Sequence, residues 1–310
     1  MSDLKNLGGL FENSTILPNS DSKERLQKLV GMDDKINRLK NMISVLINPQ
    51  GLQHWIGKHH PNSSNLIDTV LRRPPLVILA GDVGSGKTEL AETIGDAVAR
   101  QENIDITLLP LSLSSRGQGR VGEMTQLVSS AFEQAFTQAS KFKSASGSAR
   151  GGVILLVDEA DALAQSRESE QMHHEDRAGV NAFIRGIDRL ANGKLPIAVI
   201  MCTNRLNALD PAVKRRSADI LIFNRPDDLQ RMEILSRCFK DIGFTSLELK
   251  ALVDATGLTI TRKYGFTYSD LTQRLLPTVI LDAYPNRPMT ASRAIEIARS
   301  ILPTPPFNDR

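Results

Sequence analysis

Residues 81–88 read Gly81-Asp82-Val83-Gly84-Ser85-Gly86-Lys87-Thr88. The segment fits G-x-x-x-x-G-K-[ST], a pattern that works only where a buried strand runs straight into a helix. Leu76–Ala80 is an apolar run of buried-strand type, and a helical pattern follows Thr88, so the context is met and the chain is committed to an α/β core. Glycines at 81, 84 and 86 let the backbone turn tightly and aim its N–H groups at phosphate oxygens. The helix that follows presents its positive end to the same anion. The loop, with Glu89 after it, is therefore the expected nucleotide contact. Lys87 is expected to reach the β- and γ-phosphates of ATP, and the Thr88 hydroxyl to bind Mg²⁺.

Three further apolar runs, Ile104–Leu109, Val153–Val157 and Ile197–Cys202, alternate with helical patterns. That alternation predicts a mostly parallel sheet with helices on both faces. Apolar residues recur at helical spacing from Lys23 to Ile47, and the polar stretch 50–65, with His54, His59 and His60, reads as a solvated insertion; zinc is conceivable there, but no cysteine or carboxylate shares a ligand spacing. Residues 140–152 read as a surface loop. Beyond Arg225-Pro226-Asp227 the segments 229–239, 246–255, 268–284 and 290–301 read as helices. The expected organisation is a flexible arm (1–22), an α/β nucleotide-binding domain (23–225), a small all-helical lid domain (226–302) and a frayed tail (303–310). With Lys and Arg at 38 against Asp and Glu at 35, the formal charge is only +3, which does not ask for a nucleic-acid partner. The two cysteines, Cys202 and Cys238, have no metal-type spacing and suggest a reducing compartment. The start lacks a signal peptide and no apolar stretch is long enough to span a bilayer, so a cytoplasmic protein with no membrane partner is expected.

Val153–Val157 ends in Asp158-Glu159-Ala160-Asp161. An acid at the carboxyl end of a buried strand beside the phosphate loop is placed to hold Mg²⁺, and this is Asp158; Glu159 is then placed to polarise the attacking water. The letters also spell the name of an RNA helicase class, but that class needs a second large nucleotide-contacting domain and a Ser-Ala-Thr motif, and the next strand ends instead in Met201-Cys-Thr-Asn204. Asn204 can touch the γ-phosphate or position water. Leu209-Asp210-Pro211-Ala212 and the basic run Lys214-Arg215-Arg216 follow.

Together these motifs resemble the AAA+ ATPases, over about residues 28–302. The resemblance implies a homo-oligomeric ring, a hexamer, in which Arg215 or Arg216 enters the neighbouring subunit's site as an arginine finger. By register from Asp210, Arg215 fits the finger best; the family's second arginine would fall at Ala218. It implies that Val30 and Gly31 pack around adenine. Gly265–Leu271 resembles the start of a lid helix, with Ser269 where some relatives carry a sensor arginine and Arg274 as a substitute. It makes Arg120, Val121 and Gly122 a substrate-gripping pore loop, with an arginine in place of the aromatic. Within the family the insertion 164–175, the run 178–188 and the Leu-Pro at 276 and 277 resemble the pachytene-checkpoint type, which remodels HORMA-domain proteins, and most of all its compact bacterial relatives in antiphage signalling. The implied function is an ATP-driven protein remodeller. A nucleic-acid-handling loader or transposition helper, a general protein unfoldase and a non-motor nucleotide switch remain the alternatives; nucleic acid is disfavoured by the near-neutral charge.

Overall fold

The computed structural model describes residues 10–11, 14–62, 64–113, 123–144, 149–161, 174–259 and 262–307. Its centre is a six-stranded sheet: β1 (Thr15–Leu17), β2 (Leu76–Gly81), β3 (Asp105–Ser112), β4 (Gly151–Asp158), β5 (Ile197–Thr203) and β6 (Ser217–Phe223), in the spatial order β1-β3-β4-β5-β2-β6. All neighbours are parallel except β1 and β3. Because both faces are covered, the central strands are continuously apolar. Leu76, Ile78 and Ala80 point into one core with Phe132 and Phe183, while Val77 and Leu79 point into the other with Ile43 and Ile94. This is the two-residue alternation of a strand read through two helical layers. One layer is α2 (Asp33–Ile47) and α5 (Lys87–Glu102); the opposite layer is α6 (Glu123–Phe142) and α7 (His174–Gly193). In sequence order, α1 (Ser20–Gln27), α3 (Pro49–His59), α4 (Ser64–Leu71) and α8 (Pro211–Lys214) complete this half.

Beyond β6 the chain is helical: α9 (Asp228–Phe239), α10 (Ser246–Thr256), a π-helical turn (Asp270–Leu275), α11 (Leu276–Ala283) and α12 (Ala291–Ser300). Their apolar faces share a third core around Phe239, Phe266 and Leu275. Val30, from the link between α1 and α2, is buried in it. The π turn sits where Pro277 interrupts the helical ladder. Proline offers no N–H to Gln273, four residues back, and the ring crowds that carbonyl, so the turn widens and Leu276 N–H bonds Leu271 instead. Thus the parallel α/β sheet and the helical segment that follows are as the sequence predicts.

Several local expectations are corrected. Residues 15–22 are not an arm: Thr15–Leu17 pairs antiparallel with β3 and Ser20 opens a helix capped by Asn19. The periodic run 23–47 is two helices, broken at 28–32. The stretch 50–65 is helical on both sides, with Trp55 against His59 and His60; among the described residues no group of three or more His, Cys, Asp or Glu could hold a metal. Residues 140–142 continue α6, and β4 begins at Gly151. β6 is a strand beyond the four that the sequence predicts. The tail is packed rather than frayed through Phe307: Thr304 donates through N and Oγ1 to Asp270, 3.0 and 2.7 Å, and the Phe307 ring lies against the Arg205 guanidinium. Among the described residues no helix is long and apolar enough to cross a membrane.

Leu17 shows how firmly the amino-terminal segment is built in. It is 0% exposed, and a Cβ on Gly95 of α5 would lie 2.6 Å from its Cδ1. Leu17→Ala is expected to cost about 2–5 kcal/mol, the range for truncating a buried leucine. Urea denaturation measures it; a loss below about 0.5 kcal/mol, as at exposed sites, would return this segment to the status of an arm.

Candidate functional site

β2 ends at Gly81 and the chain turns through the phosphate loop into α5. Gly81 and Gly84 both have positive φ, 151° and 71°. A Cβ at Gly81 would lie 2.0 Å from the Phe223 carbonyl oxygen, and one at Gly84 would lie 2.9 Å from Ser269 Cβ. Glycine is therefore required by close approach to β6 on one side and to the lid on the other. Lys87 is only 6% exposed. Its ammonium donates to the Gly81 and Asp82 carbonyls, 2.8 and 2.7 Å, and to Ser85 Oγ at 3.3 Å. Burial lowers its pKa; nearby thiol and carboxylate groups, Cys202, Asp158, Asp161 and Asp82, oppose that shift.

β4 delivers Asp158 to the same point. Thr88 Oγ1 donates to Asp158 Oδ1 at 3.3 Å, and so does the Glu159 N–H at 2.9 Å. Burial raises the Asp158 pKa, and these two donors work against it. Glu159 sits at φ 51°, a left-handed conformation that side chains other than glycine adopt rarely. The backbone is thereby turned out of the strand at the residue expected to face water, and Glu159 is exposed.

Asn204, at the end of the neighbouring β5, is held by an acid the motif reading did not single out. Asp161 accepts from Thr203 Oγ1 (2.7 Å), from Asn204 N (2.9 Å) and from Asn204 Nδ2 (3.1 Å). The third position after Asp158 was visible in the sequence, but nothing there tied it to Asn204. The loop, Asp158, Glu159 and Asn204 line one cavity of about 880 Å³, large enough for a nucleotide. The lid closes its far side with Ile234, Cys238, Tyr268 and Thr272. Burial pushes the Tyr268 phenol up to about 12.

Val30 lines the cavity, whereas Gly31 is not among the residues that line it. The Gly31 carbonyl accepts from Gln230 Nε2 at 2.7 Å, while Gln230 also completes the capping box of α9 with Asp227. Glu89 is paired with Arg25 of α1, two contacts of 2.8 Å, and Arg25 also meets Glu92. Gln230 and Arg25 were not legible as site residues, since each acts across more than sixty residues of chain.

Asp210 caps α8 through a 2.7 Å bond from Ala212 N, which fixes the basic run after it. Arg215 is exposed, with Nε 3.4 Å from the Pro211 carbonyl. Arg216 forks onto Asp188 of α7, at 2.7 and 3.0 Å. Neither lines the cavity of its own chain. Arg274 does not face the cavity either: it bonds Asp270 at 2.7 Å and the Leu302 carbonyl at 3.0 Å. Arg120, Val121 and Gly122 lie outside the described residues.

A family model described as ATPase family associated with various cellular activities matches residues 77–242, which span β2 through α9. The chain belongs to this AAA ATPase family. CD-NTase-associated protein 6 of Escherichia coli strain MS 115-1 is 60% identical over 98% of both chains, and a second Escherichia coli protein of that name is 34% identical over 97% of this chain and 98% of its own. Among solved structures, a chain from the E. coli MS115-1 HORMA:CdnC:Trip13 complex matches with TM-score 0.90 and 58% identity, covering 97% of this chain and 99% of that one. Rhizobiales Trip13 matches with TM-score 0.77 and 52% identity, covering 96% and 100%. The chain is an ATPase.

For this AAA ATPase, Asp161→Ala should leave nucleotide binding near normal and lower kcat by about tenfold to a hundredfold. That is the effect of releasing a polar group held by charge-assisted hydrogen bonds. Steady-state ATPase kinetics test it: a rise in KM with kcat unchanged would remove Asp161 from any part in orienting Asn204.

Proposed function

We propose that this chain is one subunit of a hexameric ring that couples Mg²⁺-ATP hydrolysis to remodelling a HORMA-domain protein in a bacterial antiphage signalling system. The observation that carries the reading is likeness over almost the whole chain, at 58% identity and TM-score 0.90, to a protein solved in a complex named for a HORMA protein. The division of labour we infer is a nucleotide-binding unit up to 225 that takes in Thr15–Leu17 and α1, a lid over 226–302, and a ring working in the cytoplasm. Val30 and Gly31 flank the base, and Arg120, Val121 and Gly122 belong to the loop that grips the partner.

The site fits a magnesium ion. Thr88 Oγ1 and Asp158 Oδ1, 3.3 Å apart, are hard oxygen donors of the kind that ion takes in company with phosphate and water. When bound, the ion neutralises charge on the phosphate oxygens. The chain's own residues supply the rest. Lys87 turns its ammonium from the loop carbonyls to the phosphates. Glu159, on its left-handed turn, orients and polarises the attacking water. Asn204, held by Asp161, fixes the position of that water or of the γ-phosphate. The finger, Arg215 or Arg216 of a neighbouring subunit, stabilises the charge of the transition state and is worth roughly 10³–10⁵ in rate.

The test is to mix the purified chain with the HORMA-domain protein of the E. coli MS115-1 complex and follow both ATPase rate and the partner's conformation or complexes. Stimulation and ATP-dependent disassembly are expected with the wild type. Glu159→Gln should bind ATP and the partner and then stall. If the partner changes neither the rate nor its own state, the remodelling reading is lost while the ATPase stands.

Neither Arg215→Ala or Arg216→Ala subunits, whose own site is intact, nor Lys87→Ala subunits, whose finger is intact, should turn over ATP alone, but mixed rings of the two should regain activity, because the site of one is served by the finger of the other. Mixed rings as inactive as either variant alone would place the defect within the mutant subunit.

A further inference from the structure

The phosphate loop carries an acid at its second position, and the fold answers it from an unexpected place. Asp82 offers its carbonyl to the Lys87 ammonium at 2.7 Å. Its carboxylate accepts from Arg225 Nε at 2.8 Å, and Asp82 is not among the residues that line the cavity. Arg225 also donates through Nη1 to the Gly265 carbonyl at 2.8 Å, and its guanidinium lies 4.8 Å from the centre of the Tyr264 ring. It stands between β6 and α9, where Pro226 restricts it to extended backbone. One side chain thus joins the phosphate loop, the passage into the lid, and the segment leading to Tyr268 and Ser269, which line the cavity. The pair is largely withdrawn from solvent, with Arg225 14% and Asp82 25% exposed, so its charges are incompletely screened.

We propose that Arg225 is a positioning residue for ATP binding: it neutralises the Asp82 carboxylate, keeps it turned away from the incoming triphosphate, and holds the phosphate loop to the lid. A carboxylate in a loop that receives a highly charged anion repels it unless it is paired. Arginine suits the task because its charge is permanent and its planar fork serves the carboxylate and a carbonyl together. One other bond joins the same parts, Ser269 N–H to the Gly84 carbonyl at 3.1 Å. It carries no charge to the loop; Arg225 does.

The proposal rests on the ATPase activity and is independent of the partner. The test is a double-mutant cycle in the full chain, reading ATP affinity by titration with a fluorescent ATP analogue, kcat by turnover, and melting temperature. Arg225→Gln strands the acid, so it should raise the Kd about tenfold, as for a lost charge-assisted bond, with kcat changed by less than about threefold. Asp82→Asn removes the acid together with its partner's role and should weaken binding only about twofold to threefold. The double variant should bind nearly as well as Asp82→Asn alone, a rescue that a merely structural role for Arg225 does not give. Wild-type affinity in Arg225→Gln, or a double variant as weak as Arg225→Gln, overturns the proposal. Should Arg225→Gln fail to fold, the cycle is run with Arg225→Lys. Its single ammonium serves one acceptor at a time, so a defect of about threefold that Asp82→Asn abolishes is expected, and one that persists undiminished overturns it.

Discussion

A buried ammonium organises the centre of this molecule. Lys87 is 6% exposed, and a charge so placed is tolerated only if it is hydrogen-bonded and faced by opposite charge. Two loop carbonyls and Ser85 meet the first need. Asp158, Asp161 and Asp82 meet the second, opposing the fall in pKa that burial imposes. Those acids come from two separate stretches, the end of β4 with the turn after it, and the phosphate loop. They converge only because β4, β5 and β2 lie side by side in register. The sheet therefore does more than bury apolar surface: it sets the spacing between one cation and the carboxylates that keep it charged.

The same adjacency links the two strand ends whose residues line the cavity. β4 leaves its strand at Asp158, turns at Glu159 through a left-handed residue, and is fastened to β5 by Ala160 N–H on the Cys202 carbonyl at 3.0 Å. Asp161 then reaches Thr203 and Asn204. A side-chain amide is a weak positioning device if it rotates freely; here one carboxylate holds the Asn204 backbone N–H and its Nδ2 together, so the side chain is fixed before any nucleotide arrives. Such preorganisation lets a modest hydrogen bond contribute to the rate, since no reorganisation is needed when the reaction occurs.

The parts legible in the sequence were those whose chemistry is local. The phosphate loop, the acid at the end of a five-residue apolar strand and the asparagine closing the next strand each carry their own context within a dozen residues. Local patterning failed where a segment's fate is set by distant partners. Thr15–Leu17 is a strand because Asp105–Ser112 offers it an edge, and 50–59 is helical because Ile56 finds a buried place that its polar neighbours conceal. The tail beyond Pro303, proline-rich and read as frayed, is fastened by one buried carboxylate, Asp270. Arg25, Asp161, Arg225 and Gln230 follow the same rule: each is ordinary in its own neighbourhood and acquires a role through a contact far away in the chain.

The basic run shows how magnitudes decide what a single chain cannot display. On the ring reading, Arg215 is ready as it stands, exposed on a short helix fixed by Asp210. Arg216 is paired with Asp188, but the pair is open to solvent, 33% and 46% exposed. Exposed pairs of this kind contribute about 0.2–1 kcal/mol. An arginine placed on a transferring phosphate contributes about 4–7 kcal/mol, from its effect on rate. Breaking the Asp188 pair is therefore a small cost against that gain, and the intrachain contact does not disqualify Arg216 as a finger. It gives the two arginines different resting states: Arg215 is available at once, and Arg216 is stored on α7, the helix that follows the acidic turn, until a neighbouring subunit presents a nucleotide.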